Sequence, residues 1–208
     1  LEITEMCLLG DQEGPADFET NPVPLVYDTD GDGEWELIVG TWRGELLVIT
    51  FSSRTMGALQ YEITPVMADG ETLVVPSGFA VPMAYDYNKD GWADLIVGTA
   101  DGTFYYYENT GAPGMLSFTY QGKSEDRQLG EMVAPAVAAL AGNGSTDFVV
   151  GNNLGEVYFC QGVFGKCYLK GQFDGNANPS AADVNNDGKI DLVVGTGLGY
   201  LWFVPGTP

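Results

Sequence analysis

Three stretches of nine residues set an acid or an amide at the first, third and fifth positions and end on one more acid. They are Asp28-Thr29-Asp30-Gly31-Asp32-Gly33-Glu34-Trp35-Glu36, Asp86-Tyr87-Asn88-Lys89-Asp90-Gly91-Trp92-Ala93-Asp94 and Asp183-Val184-Asn185-Asn186-Asp187-Gly188-Lys189-Ile190-Asp191. In a tight turn this spacing aims successive oxygens at one point, which suits a hard divalent ion that takes roughly 6–8 oxygen ligands. The glycine at the sixth position permits the sharp turn, and the residue after it offers its backbone carbonyl. The first site is then Asp28, Asp30, Asp32 and Glu36 with the Glu34 carbonyl. The second is Asp86, Asn88, Asp90 and Asp94 with the Trp92 carbonyl; the third is Asp183, Asn185, Asp187 and Asp191 with the Lys189 carbonyl. Ca²⁺ at three sites is the expected cofactor, ahead of Mg²⁺, which favours rigid octahedral sites with retained waters. A merely solvated acidic turn is the bland alternative, but acids converging on one point repel one another when nothing neutralises them. An EF-hand needs an acid at loop position 12 and flanking helices. Position 12 here is Val39, Val97 and Val194, so EF-hands are excluded.

What positions these loops is a repeat. Pro24, Pro82 and Pro179 each stand four residues before the first loop acid, and Leu-Ile-Val-Gly or Leu-Val-Val-Gly follows the last. A worn copy lies between the second and third loops, from Pro135 to Gly151, with Ala139 and Ala141 in place of the first two ligands. That copy is expected to hold no ion. Each unit reads as strand A, loop, strand B, turn and strand C, the B strands being short apolar runs bounded by Gly. Propensity alone would make Ala134–Leu140 a helix; the repeat alignment overrides it. Outer D strands follow at 60–64, 116–120 and 167–170, and none follows the last C strand. Leu1-Glu2-Ile3-Thr4 is close to Tyr61-Glu62-Ile63-Thr64, so the start of the chain reads as a spare D strand.

The expected fold is all-β: a β-propeller with four blades of four antiparallel strands, the N-terminal strand completing the last blade in its own or a neighbouring chain. One domain spans 1–208, with blade cores at about 24–64, 82–120, 135–170 and 179–204 plus 1–7. Closing sheets this way protects edges that would otherwise template aggregation. A piece of a longer propeller and a subunit lending its first strand to a neighbour are the alternatives.

Composition bounds the function. A formal charge of −21 over 208 residues repels phosphate backbones and anionic membranes, so nucleic acid is not an expected partner. The 45% apolar content is too high for a disordered acidic tail. With no His, the usual general base is missing. No apolar run approaches the ~20 residues of a membrane span. Nothing near Leu1 has the layout of a signal peptide, and the chain reads as a matured or trimmed product. Cys160 and Cys167 flank a Gly-containing turn between apolar stretches, which fits a hairpin disulfide and an oxidising compartment; two thiols that never meet is the alternative. Cys7 is left odd. Asn143-Gly144-Ser145 is an N-glycosylation sequon in the worn loop.

The loops at Asp28, Asp86 and Asp183, with the apolar-Val-Gly runs after them, resemble the FG-GAP/VCBS repeat family of integrin α-subunit propellers, fungal propeller lectins and many secreted microbial proteins. The resemblance covers nearly the whole chain. It implies a propeller with Ca²⁺ in the A–B loops and an extracellular setting, secreted or at the cell surface. The expected function is a non-catalytic module for adhesion that binds a glycan or a protein. Trp42 and Trp92 are candidate sugar platforms, with packing against neighbouring blades as the alternative for each; the Tyr105-Tyr106-Tyr107 run reads as strand packing. A second reading is a structural subunit of an extracellular filament, self-assembled by strand exchange. A third is the propeller of a polysaccharide-degrading lyase, against which stand the missing His and the carboxylates already committed to metal.

Overall fold

The computed structural model describes residues 10–11, 14–15, 21–28, 33–55, 58–111, 116–124, 129–137 and 147–206. Its strands form four small antiparallel sheets arranged as a four-bladed β-propeller. A two-stranded ribbon, β1 (Gly10–Asp11) with β2 (Gly14–Pro15), comes first. Blade one is β3 (Val23–Tyr27), β4 (Glu36–Gly40), β5 (Leu46–Thr55) and β6 (Ala58–Pro65), paired in that order. A hairpin of β7 (Met67–Ala68) and β8 (Glu71–Thr72) leads to blade two. That blade is β9 (Val81–Tyr85), β10 (Asp94–Gly98), β11 (Phe104–Asn109) and β12 (Phe118–Lys123), with β7 added along the outer edge of β12. Blade three is β13 (Ala134–Val137), β14 (Phe148–Gly151), β15 (Glu156–Cys160) and β16 (Cys167–Gln172). Blade four has three described strands, β17 (Ala177–Ala182), β18 (Asp191–Thr196) and β19 (Leu201–Val204). Leu1–Met6, the strand expected to complete it, and Cys7 lie outside the described residues.

The repeat is visible in the register. Pro24 pairs with Val39, Pro82 with Val97, Pro135 with Val150 and Pro179 with Val194. Proline is tolerated there because each A strand is the edge of its sheet and needs no ladder N–H on its free side. Ala134–Val137 is strand, as the repeat demands and local propensity does not.

Continuous apolar runs are required because blades two and three are covered on both faces. Side chains alternate along a strand, so Leu95 and Val97 point back and join Ile38, Leu46 and Val48 of blade one in one core. Ile96, Phe104 and Tyr106 point forward into a second core with Phe148 and Val150 of blade three. Val149 and Val157 of blade three meet Val194 of blade four in a third. The Tyr105–Tyr107 run is divided between the first two cores and buried throughout. Cys160 and Cys167 stand opposite each other across β15 and β16 and form a disulfide. Among the described residues, no helix is long and apolar enough to cross a membrane.

Candidate metal centres

The A–B loops of blades two and four fold alike, hydrogen bond for hydrogen bond. The first loop acid accepts two backbone N–H groups from across the turn. Asp90 N donates to Asp86 Oδ1 at 3.0 Å and Gly91 N to Oδ2 at 3.0 Å. In blade four, Asp187 N reaches Asp183 Oδ1 at 3.1 Å and Gly188 N reaches Oδ2 at 2.9 Å. The amide at the third position accepts from the backbone of the fifth residue, at 2.9 Å for both Asn88 and Asn185. Each amide also donates to the carboxylate there, Asn88 Nδ2 to Asp90 at 2.9 Å and Asn185 Nδ2 to Asp187 at 3.1 Å. The fifth acid then accepts from the residue whose carbonyl is the sequence-assigned ligand: Trp92 N at 2.8 Å and Lys189 N at 2.9 Å.

Backbone handedness sets these turns. Lys89 (φ 64°) and Asn186 (φ 59°) are left-handed at the fourth position, and Gly91 (φ 97°) and Gly188 (φ 85°) at the sixth. Nothing lies within 4 Å of a Cβ placed on either glycine, so conformation, not crowding, selects glycine there. Gly33 has the same backbone at φ 92° in blade one, and its N–H donates to Asp28 Oδ2 at 3.1 Å.

The final acid of the loop holds a different position from its neighbours. Asp94 and Asp191 are wholly buried. Asp94 Oδ2 accepts from Tyr87 N, Asn88 N and the Tyr106 hydroxyl, and Oδ1 from Asn109 N at 2.9 Å. Asp191 Oδ2 accepts from Val184 N and Asn185 N, and Oδ1 from Gly206 N at 2.8 Å. These carboxylates tie the start of the loop to the end of strand C. Their acidities diverge: burial pushes the Asp94 carboxyl above its ordinary value despite its donors, whereas Gly206 N–H, ahead of the other donors, holds Asp191 below it.

The remaining sequence-assigned groups fall as follows. Asp30 and Asp32 lie outside the described residues, as do Asn143 and the two alanines of the worn loop. Glu34 is exposed and Glu36 buried. Asp28 Oδ1 is buried and accepts no hydrogen bond among the described residues. Carboxylate oxygen is strongly hydrated, and shutting one away without a partner is unfavourable unless a cation or donor meets it. That oxygen fits a metal ligand. Among the described residues, no three His, Cys, Asp or Glu side chains gather as a ready-made metal cluster.

Glu108 was missed by the repeat pattern. It comes from β11, and Asn88 Nδ2 donates to its Oε1 at 3.2 Å, bringing a further acid to the second loop. The corresponding positions in blades one and four are Thr50 and Pro205, so no repeat could have signalled it. Asn109 and Tyr106, which hold Asp94 in place, sit equally far from the loop in sequence.

Sheets of this order joined by a recurring Asp-rich turn define a repeat β-propeller. Residues 86–150, from the second loop through the worn third unit to its B strand, match the model of the FG-GAP-like repeat family. This is the family that the loops and apolar-Val-Gly runs resemble, and the matched segment is similar to its repeat. No curated protein matches the chain.

Proposed function

We propose that the chain is a non-catalytic, extracellular, calcium-binding propeller that serves adhesion by binding a glycan or a protein. The observation that carries the calcium reading is the shared turn geometry of the blade-two and blade-four loops, together with the buried Asp28 oxygen that meets no donor among the described residues. Asp86, Asn88 and Asp90, with Asp183, Asn185 and Asp187, are the groups that would hold the ion at the second and third sites. Asp28 leads the first. A formal charge of −21 also favours divalent cations as counter-charge. The disulfide in blade three supports an oxidising compartment.

Calorimetric titration of CaCl₂ into EDTA-stripped protein tests this reading. Saturable uptake of up to three ions, with weaker uptake of Mg²⁺, is expected; absence of uptake at millimolar Ca²⁺ overturns it. For the ligand, Trp42 keeps an exposed flank beside Phe79, whose ring it meets edge-on at 5.4 Å. A glycan array probed with the native chain and Trp42→Ala checks that surface, loss of glycan signal in the variant being the expected result. A strand-exchanged fibre subunit is the second reading. It is favoured by the outer edge of β19, which among the described residues pairs with β18 alone.

A further inference from the structure

Neighbouring blades are joined by the same plug and socket three times. The socket is the end of strand B with the turn that follows. A Cβ on Gly40, Gly98 or Gly151 would collide with the carbonyl of Ala80, Val133 or Ala177 in the next blade, and would lie 2.9, 2.8 and 2.7 Å from Cδ of Pro82, Pro135 and Pro179. The residue after each glycine accepts an N–H from the same incoming segment: Ala80 N to Thr41 O at 3.0 Å, Val133 N to Thr99 O at 3.2 Å, Ala177 N to Asn152 O at 2.8 Å. In the first two joints a second bond runs beside it, from Phe79 N to Trp42 O at 2.8 Å and from Met132 N to Ala100 O at 3.0 Å. Next to each socket lies a forward-facing apolar patch, fully covered by the next blade in the first two joints and covered at Val149 and Val157, with Phe159 half-buried, in the third. In blade one it is Ile38, Leu46 and Val48; in blade two, Ile96, Phe104 and Tyr106.

Blade four carries the fourth socket, and no described residue of another blade sits in it. A Cβ on Gly195 would meet only Asn178 O of its own sheet, at 3.9 Å, and one on Gly199 would meet nothing within 4 Å. Its forward patch is Val193, Leu201 and Phe203, matched by repeat position to the covered residues above. Leu201 is 77% exposed and Phe203 50%.

Blade one, conversely, carries a plug that fills no socket among the described residues. Pro22 and Pro24 occupy the positions of Ala80 and Pro82, and both are exposed. Asn21 is left-handed at φ 56°, as are Phe79 (φ 51°) and Met132 (φ 54°) in plugs that are seated. The free plug therefore already has the docked backbone at its first residue. On the face behind it, Val26 is 61% exposed and Leu37 and Leu47 are half-buried, while Val39 and Ile49 are covered within the chain. No core cluster of described residues joins blades four and one, whereas each of the other neighbouring pairs shares one.

Pro22 is where this plug departs from the seated three. Proline has no N–H to donate, and its ring stands where that hydrogen would be. The matching acceptor, Thr196 O, is not orphaned by the loss, because Gly199 N already donates to it at 2.9 Å. The ring must stand off from that carbonyl, however, so a joint made with this plug is looser than those inside the molecule.

We propose that the socket of blade four receives the Asn21–Pro24 plug of a second copy of this chain, and that Pro22 holds this head-to-tail joint weaker than its three internal counterparts. Asn21 N would donate to Gly197 O, Pro24 would pack near Gly195, and Leu201 and Phe203 would be covered. The contact is heterologous, so it either closes or propagates, as the rotation between copies dictates. It is separate from the edge of β19 and independent of the calcium reading.

Sedimentation equilibrium on the full chain, with and without Ca²⁺, tests the joint. The native chain should self-associate reversibly as concentration rises. Pro22→Ala restores the missing donor at an exposed position and should tighten the association at least tenfold. Gly195→Ala should weaken it at least tenfold in either background. Among the described residues the new methyl meets only Asn178 O, at an ordinary 3.9 Å, so an unchanged thermal melt is the expected control. Pro24→Asp, also at an exposed position, should have the same effect from the other side, and Leu201→Asp serves should either variant misfold. With Pro22→Ala present in both partners, an equimolar mixture of Gly195→Ala and Pro24→Asp should form a 1:1 pair and stop there, since each retains one sound half. A native chain that stays monomeric at every concentration overturns the proposal. So does association that is indifferent to Pro22→Ala or that survives Gly195→Ala. Strand exchange through Leu1–Met6 gives both of those last results, and face-to-face pairing of two blade-four patches survives Pro24→Asp.

Discussion

At the scale of single residues, Asp94 and Asp191, the final acids of their loops, have a role that ligand spacing does not suggest. Asp94 receives three backbone N–H groups and the Tyr106 hydroxyl inside the junction of blades two and three. Truncating it leaves those donors buried without an acceptor. Asp94→Ala, compared with the native chain in EDTA so that ion binding is out of the difference, should therefore lose about 3 kcal/mol in urea unfolding. Asp191→Ala should lose clearly less, because its donors belong to Val184 and Asn185, which are exposed, and to half-buried Gly206, so water can replace the carboxylate. Equal losses at the two positions would contradict this account. Asp101, in the blade-two turn, gives a pH signature. Burial raises its carboxyl, but the Thr99 hydroxyl at 2.8 Å and the donors of Thr103 outweigh that and leave it below the ordinary value of 3.8. The unfolded chain then binds the proton more readily, so this stabilisation is present above the ordinary value and is lost as pH falls through the folded one. Asp101→Asn should flatten the acid limb of a plot of melting temperature against pH as pH falls below the ordinary carboxylate value of 3.8.

Elements were the most legible scale. Every A, B and C strand falls where the recurrent Pro, loop and apolar-Val-Gly run place it, and Ala134–Val137 shows why: its conformation is set by pairing with β14, which only the repeat reveals. The β7–β8 hairpin was not foreseen, although Asp69-Gly70 is a strong two-residue hairpin signal and both residues are left-handed, at φ 53° and 84°. Two-residue strands are too short to show alternation, so only the turn could have betrayed them. The loop ligands were legible as types and spacing. Their supporting cast was not, since Tyr106, Glu108 and Asn109 reach the site through sheet pairing and obey no fixed offset. Glycines ending the B strands make a matched test of the blade junction. Gly98→Ala forces a methyl against the Val133 carbonyl and should cost on the order of 3 kcal/mol in chemical denaturation, as overpacking typically does. Gly195→Ala should cost almost nothing. A similar loss at both would mean that the glycine serves backbone conformation and not close approach.

Across the whole molecule, ions and charge set stability together. At ~2 mM free Ca²⁺ and ~0.1 mM affinity, each bound site adds about 1.8 kcal/mol. For a chain of this size, removing three ions should lower the melting temperature by on the order of 10 °C. Scanning calorimetry in EDTA and in CaCl₂ measures the difference, and coincident curves would count against structural calcium. Self-repulsion at −21 should make the chelated form gain stability with added NaCl more steeply than the calcium form. The sequence showed four units but not that the last and the first share no core cluster of described residues, because a motif records what a blade contains and not which neighbour covers it. Blade three has lost two of its loop ligands, yet its outer hairpin alone is cross-linked, through Cys160 and Cys167. Chelators and thiols should thus melt different parts of the same set of sheets. Reductant should quicken amide deuteration first in β15 and β16, and EDTA in the segments flanking Asp86 and Asp183.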